Sequence, residues 1–186
     1  MASGPPKTLA VPPSLHAYQI SPTTYLERHK SSTQHLVAAG IVMHKDRVLL
    51  IQRSAHEFMG LCWEVPGGQC EDSDETIPAA ACRELWEEAG LRAAAVIDVV
   101  EGQHEWVDGG RTWRKITFVL EVEADATGEI QIRLDPNEHE DFVWASELEV
   151  REGRCGDKVL RWTSNGQRRT VLDAFRLLRS RGFLSR

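Results

Sequence analysis

Residues 76–90, TIPAAACRELWEEAG, constrain the fold more than any other stretch because they carry their own start and stop signals. Thr76 suits an N-cap, Pro78 is tolerated in a first turn, and Gly90 ends a helix, so the spacing predicts one helix over 77–89. At about 100° per residue, with Glu84 at zero, Glu88 falls at about 40° and Glu87 at about 300°. The three carboxylates therefore share one arc, with Arg83 at its border, four residues before Glu87. Leu85, Cys82, Trp86 and Ala79 lie on the opposite side and form the expected buried stripe.

Around this helix the chain alternates short apolar runs with turn signals. HLVAAGIVM (35–43) and RVLLIQR (47–53), joined by HKD, predict two strands and a tight turn. WEV (63–65) is a third, ended by Pro66-Gly67-Gly68. RAAAVIDVVEG and RTWRKITFVLEVE are further strands, with VDGG (107–110) a hairpin signal between them. FVWASELEV is a strand end running into a short helix, and RTVLDAFRLLRSRG is an amphipathic helix closed by Gly182. Strands mixed with a few helices argue for an α+β sandwich, not a regular βαβ series. Residues 1–34, rich in Pro, Ser and Thr, are expected to be an irregular N-terminal arm.

With 186 residues, one domain is the expectation. No apolar run approaches the roughly 20 residues that span a bilayer, and the N-terminus lacks the apolar core of a secretory leader, so a cytoplasmic address is expected. The four cysteines form no C-x-x-C pair and are read as free thiols. The seven histidines show no ligand spacing, and none is assigned a metal. Charge is unevenly divided: residues 1–150 carry 12 Lys/Arg against 25 Asp/Glu, residues 151–186 carry 10 against 3. The basic end is either a solvated helix resting on an acidic body or a phosphate or nucleic-acid contact, the second lacking interleaved aromatics.

The acidic arc breaks a local rule. Glu87 and Glu88 occupy the last turn, where the helix dipole disfavours anions by roughly 0.3–1 kcal/mol each. A divalent cation would supply the missing compensation. Three carboxylates without His or Cys make a hard oxygen site suited to Mg²⁺ or Mn²⁺ rather than Zn²⁺ or copper. The preceding loop PGGQCEDSDE is neither a Walker loop, lacking G-K-[ST], nor an EF-hand loop.

The segment from Glu75 to Leu91 resembles the Nudix box, G-x5-E-x7-R-E-U-x-E-E-x-G-U, at every position from its first Glu onward. One departure lies upstream: six residues, not five, separate Gly68 from Glu75. The resemblance extends over the apolar strand, RVLLIQRS, WEVPGG and the acidic loop before Trp144. It implies the Nudix fold, a mixed curved β-sheet sandwiched between helices, in a domain over 35–186 that ends in the basic helix. It also implies hydrolysis, with Mg²⁺ or Mn²⁺ and an attacking water, of a nucleoside diphosphate linked to another moiety X. Carried over by position, Glu84, Glu87 and Glu88 would be metal ligands with the Gly68 carbonyl, Arg83 would orient the glutamates, and Glu75 would brace the loop. The general base would be a helix glutamate, Glu138 or Glu140.

Arg53 is either a phosphate or base contact or a surface strand residue. Trp106 and Trp113 either stack on a substrate or pack in the core. Arg111, Arg114 and Lys115 could meet a phosphate-rich substrate from the same hairpin. Two other functions use this fold: a nucleotide- or partner-binding module without turnover, and an enzyme acting on prenyl diphosphates. The intact box argues against the first, and no upstream Cys motif supports the second. Signatures for ADP-ribose, diadenosine polyphosphates, coenzyme A and NADH are absent, so the diphosphate's identity stays open. The acidic body argues against a long nucleic-acid partner; a homodimer through the arm or the basic helix is compatible with the sequence.

Overall fold

Each strong periodic segment forms the expected element, and the differences lie in what those elements bury. The computed structural model describes residues 9–185 apart from 31, 101 and 103. A 3₁₀ turn (Pro13–Tyr18) and helix α1 (Pro22–Arg28) precede β1 (His35–His44), β2 (Arg47–Arg53), β3 (Trp63–Glu64), β4 (Gly67–Gln69) and helix α2 (Ile77–Ala89). Then come β5 (Ala93–Val99), β6 (His104–Asp108), β7 (Arg111–Val122), β8 (His139–Ala145), α3 (Glu147–Glu152), the short pair β9 (Arg154–Cys155) and β10 (Lys158–Val159), and α4 (Asn165–Ser180). No helix among the described residues is long and apolar enough to cross a membrane.

The sheet is mixed. β1 turns back into β2 through Lys45 and Asp46, both at left-handed φ, and also runs parallel to β7 from His35 opposite Trp113 to Val42 opposite Leu120. β7 pairs antiparallel with β5 and β6, while β2 pairs with β3 and β8. Alternation along β1 feeds two cores. Leu36, Ala38 and Val42 pack with Leu85 and Phe118 on the α2 side; Ala39 and Ile41 pack with Val119, Val171 and Phe175 on the α4 side. Helices thus cover both faces of a curved sheet, an α+β sandwich.

Two expectations need correction. The N-terminal arm is not irregular in its described part. Ser21 accepts a hydrogen bond from the Thr24 N–H and Pro22 opens α1, so residues that read as breakers act as helix starters. Leu15 and Tyr25 are buried in the α2-side core, and Ala10 bridges to Ala95. The second correction concerns α2. Its buried face holds Ile77, Ala80, Ala81, Glu84, Leu85 and Glu88, whereas Trp86 and Ala79 are only half-buried. Of the acidic arc, Glu84 and Glu88 are turned inward and Glu87 stays exposed, so two carboxylates share the buried face with aliphatic side chains. Trp86 sits under the guanidinium groups of Arg92 and Arg133, 4.7 and 5.8 Å from its ring centre.

Candidate active site

The site is built where α2 passes the Gly67–Gln69 strand. Thr76 caps α2 through the Ala79 N–H, and Gly90 closes it in the left-handed conformation. From the middle of the helix, Arg83 spreads its guanidinium over four groups. Nε and one terminal nitrogen donate to the two Asp74 oxygens at 3.0 Å each, and the other donates to Glu84 at 2.8 Å and Glu87 at 2.9 Å. A further bond reaches the Gln69 carbonyl at 3.2 Å. Asp74 also accepts from the Glu71 N–H and is buried, while Glu75 is exposed. The loop brace is thus Asp74, not Glu75. Counted from Gly68 with five residues between, Asp74 stands where the box has its first Glu, and the extra residue follows it.

Glu84 and Glu88 face the strand. Glu88 Oε2 accepts from the Gly67 N–H at 2.7 Å. A Cβ on Gly68 would lie 2.6 Å from Glu84 Oε2, so only glycine lets the backbone come this close to the carboxylate. Both glycines and both glutamates line an open cavity of about 630 Å³, together with Arg53, Cys70 and Glu138. Glu87 is not among its lining residues; it stands exposed at the edge, tied to Arg83. Cys70 is pushed up to about 12, by burial first and then by the Asp74 charge, which excludes it as a nucleophile at neutral pH.

Three residues join the site that the sequence left unassigned or open. Glu64, from β3, is buried and pairs with Arg53 at 2.7 Å. His139, from β8, is buried with Nε2 at 3.5 Å from Glu64 and 4.0 Å from Glu88. A bulge in the β2–β8 pairing sets Arg53 opposite His139 and leaves Glu140 unpaired. Glu140 instead accepts from the Ala55 N–H, while Glu138 lines the cavity. Arg53 is not a free surface residue: besides Glu64 it binds the Phe58 carbonyl and Glu57.

The aromatic residues form a separate surface. Trp106 and Trp113 are cross-strand partners stacked on each other, ring centres 5.8 Å apart. His35 stacks on Trp113 at 4.2 Å. Arg111 is exposed beside the His35 ring, and Arg114 pairs with Glu105 and donates to the Tyr25 hydroxyl. None of these side chains lines the cavity with Glu84 and Glu88.

The electrostatics fit a divalent cation. Burial pushes the Glu84 carboxyl up, partly offset by Arg83. Glu88 is raised well above the usual carboxylate range, by burial first and then by the Glu64 charge. Burial would raise Glu64 too, but His139, Lys115 and Arg53 outweigh it and hold that carboxyl low. Among the described residues no lysine or arginine pairs with Glu88, leaving a buried carboxylate with one N–H donor, Gly67. Ligand atoms of Glu88, Glu138 and His139 all lie within 4.8 Å of one another. Two carboxylates and one imidazole thus converge at the site, a group that could hold a metal ion.

A family model described as the NUDIX domain matches residues 34–163. The chain is 31% identical over 122 residues to an 8-oxo-dGTP diphosphatase of Proteus vulgaris, covering 64% of this chain and 86% of that protein. It is 30% identical over 90 residues to Phosphatase NudJ of Escherichia coli strain K12, covering 48% of this chain and little more than half, 56%, of that relative. The solution structure of the E. coli ORF135 protein superposes with a TM-score of 0.59 at 26% identity, over 82% of this chain and 95% of that one. The MutT protein from Methanosarcina mazei Go1 also gives 0.59, at 22% identity over 80% and 96%, a likeness of fold. With the box helix, its buried glutamates and the mixed sheet in place, the chain belongs to the Nudix hydrolase family and is a pyrophosphohydrolase of the Nudix type.

Proposed function

We propose that the protein cleaves a phosphoanhydride bond in a nucleoside di- or triphosphate, or in a nucleoside diphosphate linked to another moiety, by attack of water at phosphorus. The observation that carries this reading is the pair Glu84 and Glu88, buried together against Gly67 and Gly68 on the wall of an open cavity. Glu84, Glu88 and the Gly68 carbonyl are the donors for Mg²⁺ or Mn²⁺, with Glu87 joining from the edge. A bound divalent ion would neutralise phosphate oxygens and lower the pKa of the attacking water.

The chain's own groups then have distinct tasks. Arg83 holds Glu84 and Glu87 in place through its fork on Asp74. Glu138, an exposed carboxylate on the cavity wall, would take the proton of the water; Glu140 accepts from the Ala55 N–H. Arg53, held by Glu64 and Glu57, lines the same cavity and would offer N–H donors to the phosphates. Trp106 and Trp113 offer a flat surface for a base, with Arg111 at its edge. Four free cysteines accord with a reducing, cytoplasmic setting.

The test is a panel of ordinary and oxidised nucleoside triphosphates, nucleotide sugars and other organic diphosphates, with Mg²⁺ and with Mn²⁺, read by product chromatography. Cleavage that needs the metal and is lost in Glu84→Gln and Glu88→Gln is expected. Cleavage unaltered by both substitutions, or none of any compound with either metal, overturns the reading.

A further inference from the structure

Most cations near the site are neutralised by a carboxylate: Arg53 by Glu64, Arg83 by Asp74, Arg114 by Glu105 and Lys158 by Asp141. Lys115 is different. It lies in the middle of β7, two residues after Trp113 on the same strand face and opposite His104 of β6. Its ammonium donates to a neutral atom, Gln167 Oε1, at 3.1 Å, and among the described residues it makes no ion pair. Burial lowers its pKa, while the charges of Glu64 and Glu88 act to raise it, so it stands in the field of those two carboxylates without an ion pair to either. A half-buried ammonium that makes no ion pair is held at a cost that packing alone does not require.

Gln167 is equally specific. It belongs to the first turn of α4, where its N–H is bound by the Ser164 cap at 3.0 Å, and it is 3% exposed. Gly166 beside it packs on the His104 ring, where a Cβ would come within 1.9 Å of a ring carbon, so the turn is seated on the β6–β7 hairpin. Because an ammonium only donates, the amide must present its oxygen to Lys115, which leaves the buried Nε2 without a partner. The contact orients the ammonium but does not neutralise it. Arg114 and Arg111, its neighbours in sequence, are engaged elsewhere.

We propose that Lys115 binds a phosphate oxygen of the substrate, and that Gln167, from a helix outside the matched span 34–163, is its positioning residue. A substrate phosphate would complete the ion pair that Lys115 lacks within the described residues. The inference rests on the reading of the protein as a hydrolase of phosphoanhydrides.

The probe is inorganic pyrophosphate, titrated by calorimetry in Mg²⁺ buffer into the full chain. Lys115→Met should weaken binding at least about tenfold, whereas Lys115→Arg, which keeps the charge, should stay within about threefold. Gln167→Leu should weaken it by about three- to tenfold, and that loss should vanish in the Lys115→Met background, since a positioning residue acts only through the group it positions. Equal affinity of wild type and folded Lys115→Met, no binding by wild type, or a Gln167→Leu effect independent of Lys115 each overturns the proposal. Should Lys115→Met fail to fold, the comparison of Gln167→Leu alone and in the Lys115→Arg background still decides: a loss of equal size in both overturns the positioning role. Pyrophosphate bound through Lys115 by a protein that cleaves no nucleotide would sink the proposed function and leave this site standing; nucleotide cleavage with pyrophosphate binding indifferent to Lys115 would do the reverse.

Discussion

Helices α2 and α4 are both rich in charge, and they treat it in opposite ways. Most arginines of α4 have a partner: Arg168 donates to the Val150 carbonyl, Arg176 pairs with Asp173 of the same helix, Arg179 with Glu147, and Arg181, just past the helix, with Asp98. α4 is a basic helix, and Arg168, Arg179 and Arg181 fasten it to the rest of the chain. In α2, Glu88 is buried with a single backbone donor, and Glu84 has only Arg83, which it shares with Asp74 and Glu87. Charge density alone therefore says little about function. The informative quantity is charge that is withdrawn from water and left unanswered, because that state persists only if a ligand answers it.

The largest expected effect is on catalysis. Outer-shell groups that orient metal ligands already cost about 10–100-fold when removed, so Glu88→Gln should lower kcat/KM by at least about a hundredfold, measured on the best compound of the panel. The fold should survive, because a glutamine can still accept from the Gly67 N–H. Activity within about threefold of wild type would erase the contrast between the two helices.

The second effect is on stability. The raised carboxyl of Glu88 stabilises the metal-free fold at low pH, and that contribution is lost as pH rises through its elevated pKa. In metal-free buffer, Glu88→Gln should therefore melt above wild type, by a margin that widens as pH climbs from the ordinary carboxylate value of 4.5. Mg²⁺ at about a hundred times its Kd should raise the wild-type Tm by roughly 5–10 °C and the variant's far less. A constant difference between the two across pH, or an equal response to Mg²⁺, would mean that Glu88 carries no unanswered charge.

Much of this contrast is written in the sequence, and its missing part has a physical cause. Caps and glycines placed α2 to within a residue, and short apolar runs and β-forming residues bounded by turns located β1, β2 and β7, because those signals are local. The direction α2 faces is not local. Of the expected stripe Leu85 and Cys82 do enter the core, but the sheet brings Gly67 and Gly68 against Glu84 and Glu88 as well, and two arginines cover Trp86. Glu64 and His139 were illegible for the same reason: 75 residues apart in the chain, they meet through β3 and a bulged β8, and no spacing rule links them. Asp74 was within reach. The extra loop residue was visible, and counting forward from Gly68 instead of back from Arg83 would have brought it to the brace position.

That brace supplies an intermediate effect. Asp74→Ala removes the buried partner of Arg83 and should cost about 3 kcal/mol of stability and roughly tenfold or more in kcat/KM. Glu75→Ala, at an exposed position, should change stability by no more than about 0.5 kcal/mol and leave activity alone. Denaturant melts and steady-state rates on both variants would check this, and a larger loss in Glu75→Ala would return the brace to the position of the family pattern.

The smallest effect belongs to α4, and it is the one that tests whether its charge is fully answered. Arg179 meets Glu147 with part of its side chain in water, and Glu147 keeps a second partner in Arg151 at 2.5 Å. Removing one of two cations from a partly exposed carboxylate costs little, because the remaining ion pair and solvent take over the charge. Arg179→Ala should therefore lower stability by about 0.5–1 kcal/mol, or roughly 2–4 °C in Tm, with kcat/KM and pyrophosphate affinity unchanged. A loss of substrate affinity at wild-type stability would show that the basic helix acts on the substrate by more than positioning Lys115 through Gln167, and that its arginines serve a ligand as well as the fold.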